Sequence, residues 1–118
     1  MEDRLDALTG QLLAFRDERD WKQFHNPKDQ ALSLVLEAAE VMEIFQWKNG
    51  PELDQHLADH REQLGDELSD VLAWVLLIAA DQKIDLARAF ASKLAKNHLK
   101  YPADKVRSSS RKYTQYKD

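Results

Sequence analysis

Residues 64–82 read LGDELSDVLAWVLLIAADQ. Val71 to Ala80 is an unbroken apolar run of ten residues, about half of what a membrane span needs. Directly ahead of it stand Glu67 and Asp70, three positions apart. On a helix that spacing sets two carboxylates on one face, one turn from each other. With Val71, Leu72, Trp74, Val75, Leu76, Leu77 and Ile78 the segment is apolar nearly all round, so it must be buried nearly all round.

A second segment, Pro27 to about Trp47, repeats the arrangement. Leu32, Leu34, Val35, Leu36, Val41, Met42, Ile44 and Phe45 cover more than one helical face, and Glu37 and Glu40 sit among them at the same spacing. If the two helices pack antiparallel, four carboxylates converge. Unpaired acids in a packed bundle repel one another and resist desolvation, at a cost of several kcal/mol. A cation is the simplest resolution. Donors that are all oxygen suit a hard ion, Mg²⁺ or Mn²⁺, rather than Zn²⁺ or copper. No Glu-x-x-His occurs, which separates the pattern from di-iron bundles. The competing interpretation is a pair of solvated acidic faces, and the apolar setting of both pairs argues against it. Glu43, six residues after Glu37, falls off the line of the pair and stays outside the ligand set.

The rest of the chain is read as helical too. Leu5, Leu8, Leu12 and Phe15 recur at three- and four-residue steps over about 3–19. Asn26-Pro27-Lys28-Asp29 is a start signal, with Asn26 as N-cap and Pro27 at the first helical position. Lys48-Asn49-Gly50 is expected to stop the second helix. Pro51 then opens a third, reaching about Gln82 with room for a break near Ala58–His60. Asp85 caps a fourth, which Tyr101-Pro102 ends near Lys100. This reading is an all-α, four-helix-bundle-like fold. It has one helical domain over 1–102 and a basic, flexible tail over 103–118. Two helices apolar on several faces exceed what one bundle of 118 residues can cover, so a homo-oligomer is expected.

Composition narrows the function. No cysteine is present, which excludes disulfides and thiolate chemistry and fits a cytoplasmic setting. The acidic, polar start MEDRLDALTGQ resembles no signal peptide. A net charge of −4 argues against binding a nucleic-acid polymer, and no run is long enough for a membrane span. His25, His56, His60 and His98 read as surface residues: the His56/His60 spacing suits a transition metal but lacks a third ligand.

At Glu37, Glu40, Glu67 and Asp70 the chain resembles the MazG-like, all-alpha nucleoside triphosphate pyrophosphohydrolase superfamily, whose pattern is Glu-x-x-Glu, a spacer, then Glu-x-x-Asp. The segments ERDWKQFH (18–25), FQWK (45–48), ELSDVL (67–72) and the spaced Lys93, Asn97, Tyr101 and Pro102 are similar to the dCTP pyrophosphatase branch. The likeness covers about residues 5–102. It implies hydrolysis of a (d)NTP to (d)NMP and pyrophosphate, with Mg²⁺ held by Glu37, Glu40, Glu67 and Asp70. It implies that Trp21 and Trp47 border the base and that Trp74 lies near the nucleotide. It also implies that Lys93 and Asn97 approach phosphates or sugar, and that subunits form a dimer or, by preference, a tetramer with composite sites. A role in nucleotide-pool sanitation would follow. Leu12 stands where the dCTP-specific animal enzymes carry His, and Trp74 where they carry Tyr, so strict cytosine specificity is not implied.

Pattern alone supports other roles for several of these residues. Trp74 reads as core, Trp21 and Trp47 as core or oligomer contacts, and Lys93 as one more solvated lysine. A similar carboxylate bundle would also serve a dUTPase-like or phosphoribosyl-ATP pyrophosphohydrolase-like activity. A helical oligomerisation module without catalysis is the alternative outside enzymes.

Overall fold

The computed structural model describes residues 3–108, and within them every regular element is helical. In chain order these are α1 (Arg4–Glu18), a 3-10 turn (Lys22–Phe24), α2 (Pro27–Phe45), α3 (Gly50–Asp59), α4 (Arg61–Asp81), α5 (Leu86–Lys100) and α6 (Ala103–Val106). None of the described helices is long and apolar enough to cross a membrane. The chain falls into two units that divide between Ile84 and Asp85, so the single helical domain expected over 1–102 spans both. The segment expected as a flexible tail begins with α6, and its residues from 109 onward lie outside the described ones.

Local chemistry sets the helix starts. Asp3 accepts the Asp6 backbone N–H at 2.7 Å, Asn26 that of Asp29 at 2.9 Å and Asp85 that of Arg88 at 3.1 Å. Each satisfies a donor that the first turn leaves orphaned. Helix ends are less conventional, because the chain has only three glycines and none follows α1, α2 or α4. Asp20, Trp47 and Lys83 take the left-handed conformation there instead, at φ 52°, 69° and 57°. After α1, the Asp20 N–H bonds to the Asp17 carbonyl and the Trp21 N–H to the Arg16 carbonyl. After α4, the N–H groups of Lys83 and Ile84 bond to the carbonyls of Ala80 and Ala79. Both are Schellman ends.

One boundary differs from the sequence reading. Trp47 takes the left-handed position, so α2 ends at Phe45 before Lys48-Asn49-Gly50 is reached. Asn49 becomes the N-cap of α3 and Gly50 its first residue. The helical stretch expected from Pro51 to Gln82 does break within the Ala58–His60 interval, at His60 (φ −121°, ψ 29°), into α3 and α4.

In the first unit α2 and α4 make the most extensive contact, and α1 also packs on α4. Gln30, early in α2, meets Asp81 at the end of α4, whereas Glu40, late in α2, meets Glu67 near the start of α4. The pair is therefore antiparallel. Ile44, Leu76, Leu77 and Ala79 are its buried apolar residues, while Leu32, Val35, Leu36 and Met42 of α2 and Leu68 and Leu72 of α4 stay exposed. A large buried aliphatic side chain contributes roughly 1.5–3 kcal/mol. The six large exposed apolar side chains leave an uncovered apolar face on each helix within one chain.

In the second unit, α5 begins at its Asp85 cap and ends at Tyr101, before Pro102 and α6. Phe90, Leu94 and Leu99 are exposed along it.

Candidate active site

The antiparallel pairing brings together the two acid pairs. Side-chain oxygens of Glu37, Glu40, Glu67 and Asp70 all lie within 4.8 Å of one another, and among the described residues this is the one cluster able to hold a metal ion. Glu37 and Glu67 are half-buried and Glu40 and Asp70 exposed. One oxygen on each half-buried acid, Glu37 Oε2 and Glu67 Oε2, is sealed from solvent and accepts no hydrogen bond.

The electrostatics follow from this crowding. A hydrogen bond shared with Glu40, then burial, then the charges of Glu40, Asp70 and Glu37 push the Glu67 carboxyl up to about 7. Burial foremost, and then the Glu40 charge, raise Glu37 as well. Four acids that cannot all ionise cheaply, two of them with a sealed unpaired oxygen, form a donor set for a hard cation. Coordination by oxygens at about 2.0–2.6 Å would use those lone pairs. The residues fit a divalent ion such as Mg²⁺.

Two cavities flank the quartet. One, of about 530 Å³, is lined by Leu8, Leu12, Phe15, Trp21, His25 and Trp74 among others, and Asp70 reaches its wall. Its surface is mainly apolar and aromatic, with Phe15 and Trp21 meeting edge to face at 5.8 Å. The other, about 410 Å³, is lined by Glu40, Glu43, Ile44, His56, His60, Gln63 and Glu67. There the His56 and His60 rings stack at 4.0 Å. Sequence pattern assigns both histidines to the surface; the structure places them, half-buried, in the wall of the cavity that Glu40 and Glu67 also line.

Behind the larger cavity lies a polar network that no sequence motif announced. Arg16 is 3% and Gln30 1% exposed. Arg16 binds Asp81 through Nη1–Oδ2 at 2.8 Å and Nη2–Oδ1 at 2.9 Å, and Gln30 Nε2 donates to Asp81 Oδ2 at 2.7 Å. Arg16 Nη1 also lies 3.3 Å from His25 Nδ1, and the His25 ring meets Trp74 edge to face at 5.1 Å. Residues 51 to 65 positions apart are joined here, and separations of that size leave no periodic trace in a sequence.

The remaining expected site residues distribute as follows. Trp21 and Trp74 share the larger cavity; Trp74, which pattern alone made core, is half-buried in its wall. Trp47 is 86% exposed and is not part of that wall. Lys93 and Asn97 lie one turn apart on α5, in the second unit, with Lys93 exposed and Asn97 half-buried.

A model of the MazG-like family matches residues 32–116. The chain belongs to the MazG-like family. It is similar to dCTP pyrophosphatase 1 of Homo sapiens, 47% identical over 103 residues that make up 86% of this chain and 61% of that protein. The Rattus norvegicus dCTP pyrophosphatase 1 is 44% identical over 104 residues, 85% of this chain and 60% of that one. This MazG-like chain thus spans about three fifths of the length of the curated relatives it matches. Its fold is similar to a solved pyrophosphatase from Archaeoglobus fulgidus, with a TM-score of 0.80, 33% identity, and coverage of 86% of this chain and 95% of that one.

Proposed function

We propose that this chain is a nucleoside triphosphate pyrophosphohydrolase, converting a (d)NTP, dCTP-like or modified, into (d)NMP and pyrophosphate with the help of Mg²⁺ or Mn²⁺. The observation that carries the reading is the quartet of Glu37, Glu40, Glu67 and Asp70, gathered within 4.8 Å beside an aromatic cavity. The similarity to dCTP pyrophosphatases and to an all-helical pyrophosphatase supports the same reaction class.

A divalent ion bound at the quartet would offset its charge and polarise the α-phosphate. The chain's own residues supply the rest. Asp70 lies in both the quartet and the cavity wall, so a nucleotide with its base in the cavity has its phosphates at the acids. One of the four carboxylates, or Glu43 in the adjoining polar cavity, accepts the proton of the attacking water. The water oxygen bonds to the α-phosphorus, the bond from that phosphorus to the bridging oxygen breaks, and pyrophosphate leaves with the electron pair.

Trp21 and Trp74 offer stacking surfaces worth on the order of 1–3 kcal/mol per base. Leu12 lines the same cavity and brings no hydrogen-bonding group, which supports a looser base preference than that of the dCTP-specific enzymes. The proposed roles of Trp47 at the base, and of Lys93 and Asn97 at phosphates or sugar, rest on the family resemblance. Homo-oligomerisation, as dimer or tetramer, is supported by the uncovered apolar faces of α2 and α4. A cytoplasmic setting belongs to the same proposal.

The test is a panel of canonical and modified (d)NTPs with Mg²⁺, assayed for pyrophosphate as distinct from phosphate. Glu40→Ala and Asp70→Ala are each expected to lower turnover by at least about a hundredfold while leaving the size of the assembly unchanged. Unaltered turnover in both variants would overturn the assignment, as would a wild-type protein that releases no pyrophosphate from any nucleotide.

A further inference from the structure

We propose that His56 and His60 form a second metal site in the polar cavity beside the quartet, for a borderline transition ion of the Zn²⁺ class, with Glu43 as the carboxylate that completes it. An ion held there opposes the loading of the quartet with Mg²⁺.

His56 lies in the last turn of α3 and His60 is its C-cap, a four-residue spacing that puts both side chains on one face. Their rings stack with centroids 4.0 Å apart and 26° between the planes. Two nitrogens bound to one tetrahedral ion at about 2.0–2.1 Å stand roughly 3.3 Å from each other, so a small closure at one edge of the stack is enough.

One of the two rings already has its tautomer set. His60 Nδ1 lies 2.8 Å from the His56 carbonyl oxygen. A carbonyl has no hydrogen to give, so Nδ1 carries the proton and donates it. The same carbonyl accepts the His60 backbone N–H at 3.0 Å, which fixes the ring further. The lone pair of the neutral imidazole is therefore on Nε2, and Nε2 has no hydrogen-bond partner among the described residues. A ring N–H held by a backbone carbonyl while the opposite nitrogen stays available is the support that metal-binding histidines recurrently carry.

The third donor, which the sequence spacing lacked, is supplied by the fold. Glu40, Glu43 and Glu67 line the same 410 Å³ cavity as the two histidines. Glu40 and Glu67 belong to the quartet, the one group of three or more donors already in mutual reach. Glu43 stands outside it. Glu43 is exposed on α2 and makes no hydrogen bond or ion pair among the described residues, so its carboxylate can turn to the imidazoles as the ion arrives. Two nitrogens and an oxygen suit Zn²⁺, Co²⁺ or Ni²⁺ rather than Mg²⁺, which takes oxygens. Because Glu40 and Glu67 border both sites, two dications there repel each other and draw on the same carboxylates. Such coupling is reciprocal.

Two measurements test this. In the first, untagged wild type, His56→Ala and His60→Ala are titrated with Zn²⁺ in excess Mg²⁺ by calorimetry. The wild type is expected to bind about one ion per chain, and each variant to bind it at least about tenfold more weakly, the scale seen when a ligand's support is lost. Equal affinity in all three overturns the site. Mg²⁺ titrated into the wild type should bind more weakly when Zn²⁺ is present, and an unchanged Mg²⁺ affinity overturns the coupling. The second measurement needs no variant to fold. Imidazole nitrogen NMR of the wild type should show His60 protonated at Nδ1 and bare at Nε2, with Zn²⁺ moving the His60 Nε2 signal and one ring nitrogen of His56. The opposite tautomer, or rings that ignore Zn²⁺, overturns the proposal. Neither measurement requires turnover, so a failure of the nucleotide-hydrolase reading shows separately, in the pyrophosphate assay.

Discussion

Arg16 and Asp81 clasp each other through two parallel hydrogen bonds of 2.8 and 2.9 Å across 65 positions of chain, joining the end of α1 to the end of α4. Both Schellman ends fall at this junction, since the Arg16 carbonyl accepts from Trp21 and the Ala79 carbonyl accepts from Ile84. Asp81→Ala would leave a guanidinium buried without its counter-charge. The expected loss is about 3–5 kcal/mol in urea denaturation. Replacing both partners with apolar residues, Arg16→Met with Asp81→Leu, should recover most of that loss, because no charge is then stranded.

Stability should pass through a maximum as pH changes in the absence of divalent ions. Glu67, pushed up to about 7, and Glu37, also raised, bind protons more readily folded than unfolded. Their contribution therefore falls as pH rises from the ordinary carboxylate range, about 4.3, through 7. Asp81 is held low, foremost by its hydrogen bonds to Arg16. Its contribution is complete above about pH 4, the unfolded value, and is lost as pH falls through the folded one. Thermal melts in chelator should show stability rising from pH 8 toward about 5 and dropping steeply below 4. A melting temperature flat from 8 to 5 would contradict the crowding of the quartet.

Mg²⁺ should stabilise the fold through the same four acids. At a hundred times its dissociation constant, a ligand of the folded state adds about 2.7 kcal/mol. That corresponds to a rise of roughly 10 °C for a chain of this size. Glu40→Gln with Asp70→Asn should abolish the rise, as read by differential scanning calorimetry with and without the ion.

Trp47 combines exposure with a backbone that a bulky residue rarely adopts, φ 69°. Trp47→Gly relieves strain of roughly 1–2 kcal/mol, partly offset by the freedom glycine brings to the unfolded chain. The variant is expected to melt no lower than the wild type, yet to raise the nucleotide KM about tenfold. A lower melting point with an unchanged KM would make Trp47 a structural contact.

Leu36 projects from α2 at 66% exposure, next to Val35 at 65%. Leu36→Glu should split the proposed assembly, as seen by light scattering after gel filtration, because an unpaired carboxylate in an apolar contact costs several kcal/mol. A wild type that already runs as a monomer would remove the basis for this expectation.

The quartet could be read from the sequence because both of its determinants are local. A spacing of three aligns each acid pair, and the surrounding Leu and Val residues half-bury one acid of each, Glu37 and Glu67. Asn26-Pro27 was legible for the same reason: a cap and a fixed φ act within one turn. Lys48-Asn49-Gly50 misled because Gly50, left-handed as expected (φ 54°), opens α3, while Trp47 has already ended α2 in the left-handed conformation three residues earlier. The orientation of His56 and His60 depended on a break whose residue no cap announces. Arg16, Gln30, His25 and Asp81 were invisible as a group, since each is an ordinary polar residue until the packing of α1, α2 and α4 joins them.

On the proposed function, a divalent ion and hydrogen ions would compete for the same few oxygens of Glu37, Glu40, Glu67 and Asp70, because either one would relieve the crowding. Loading the centre would therefore expel protons, and acidifying the surroundings would empty it. Catalytic readiness would track the ratio of free divalent ion to acid in the medium, so a cell that turned mildly acidic while short of magnesium would silence this chain twice over.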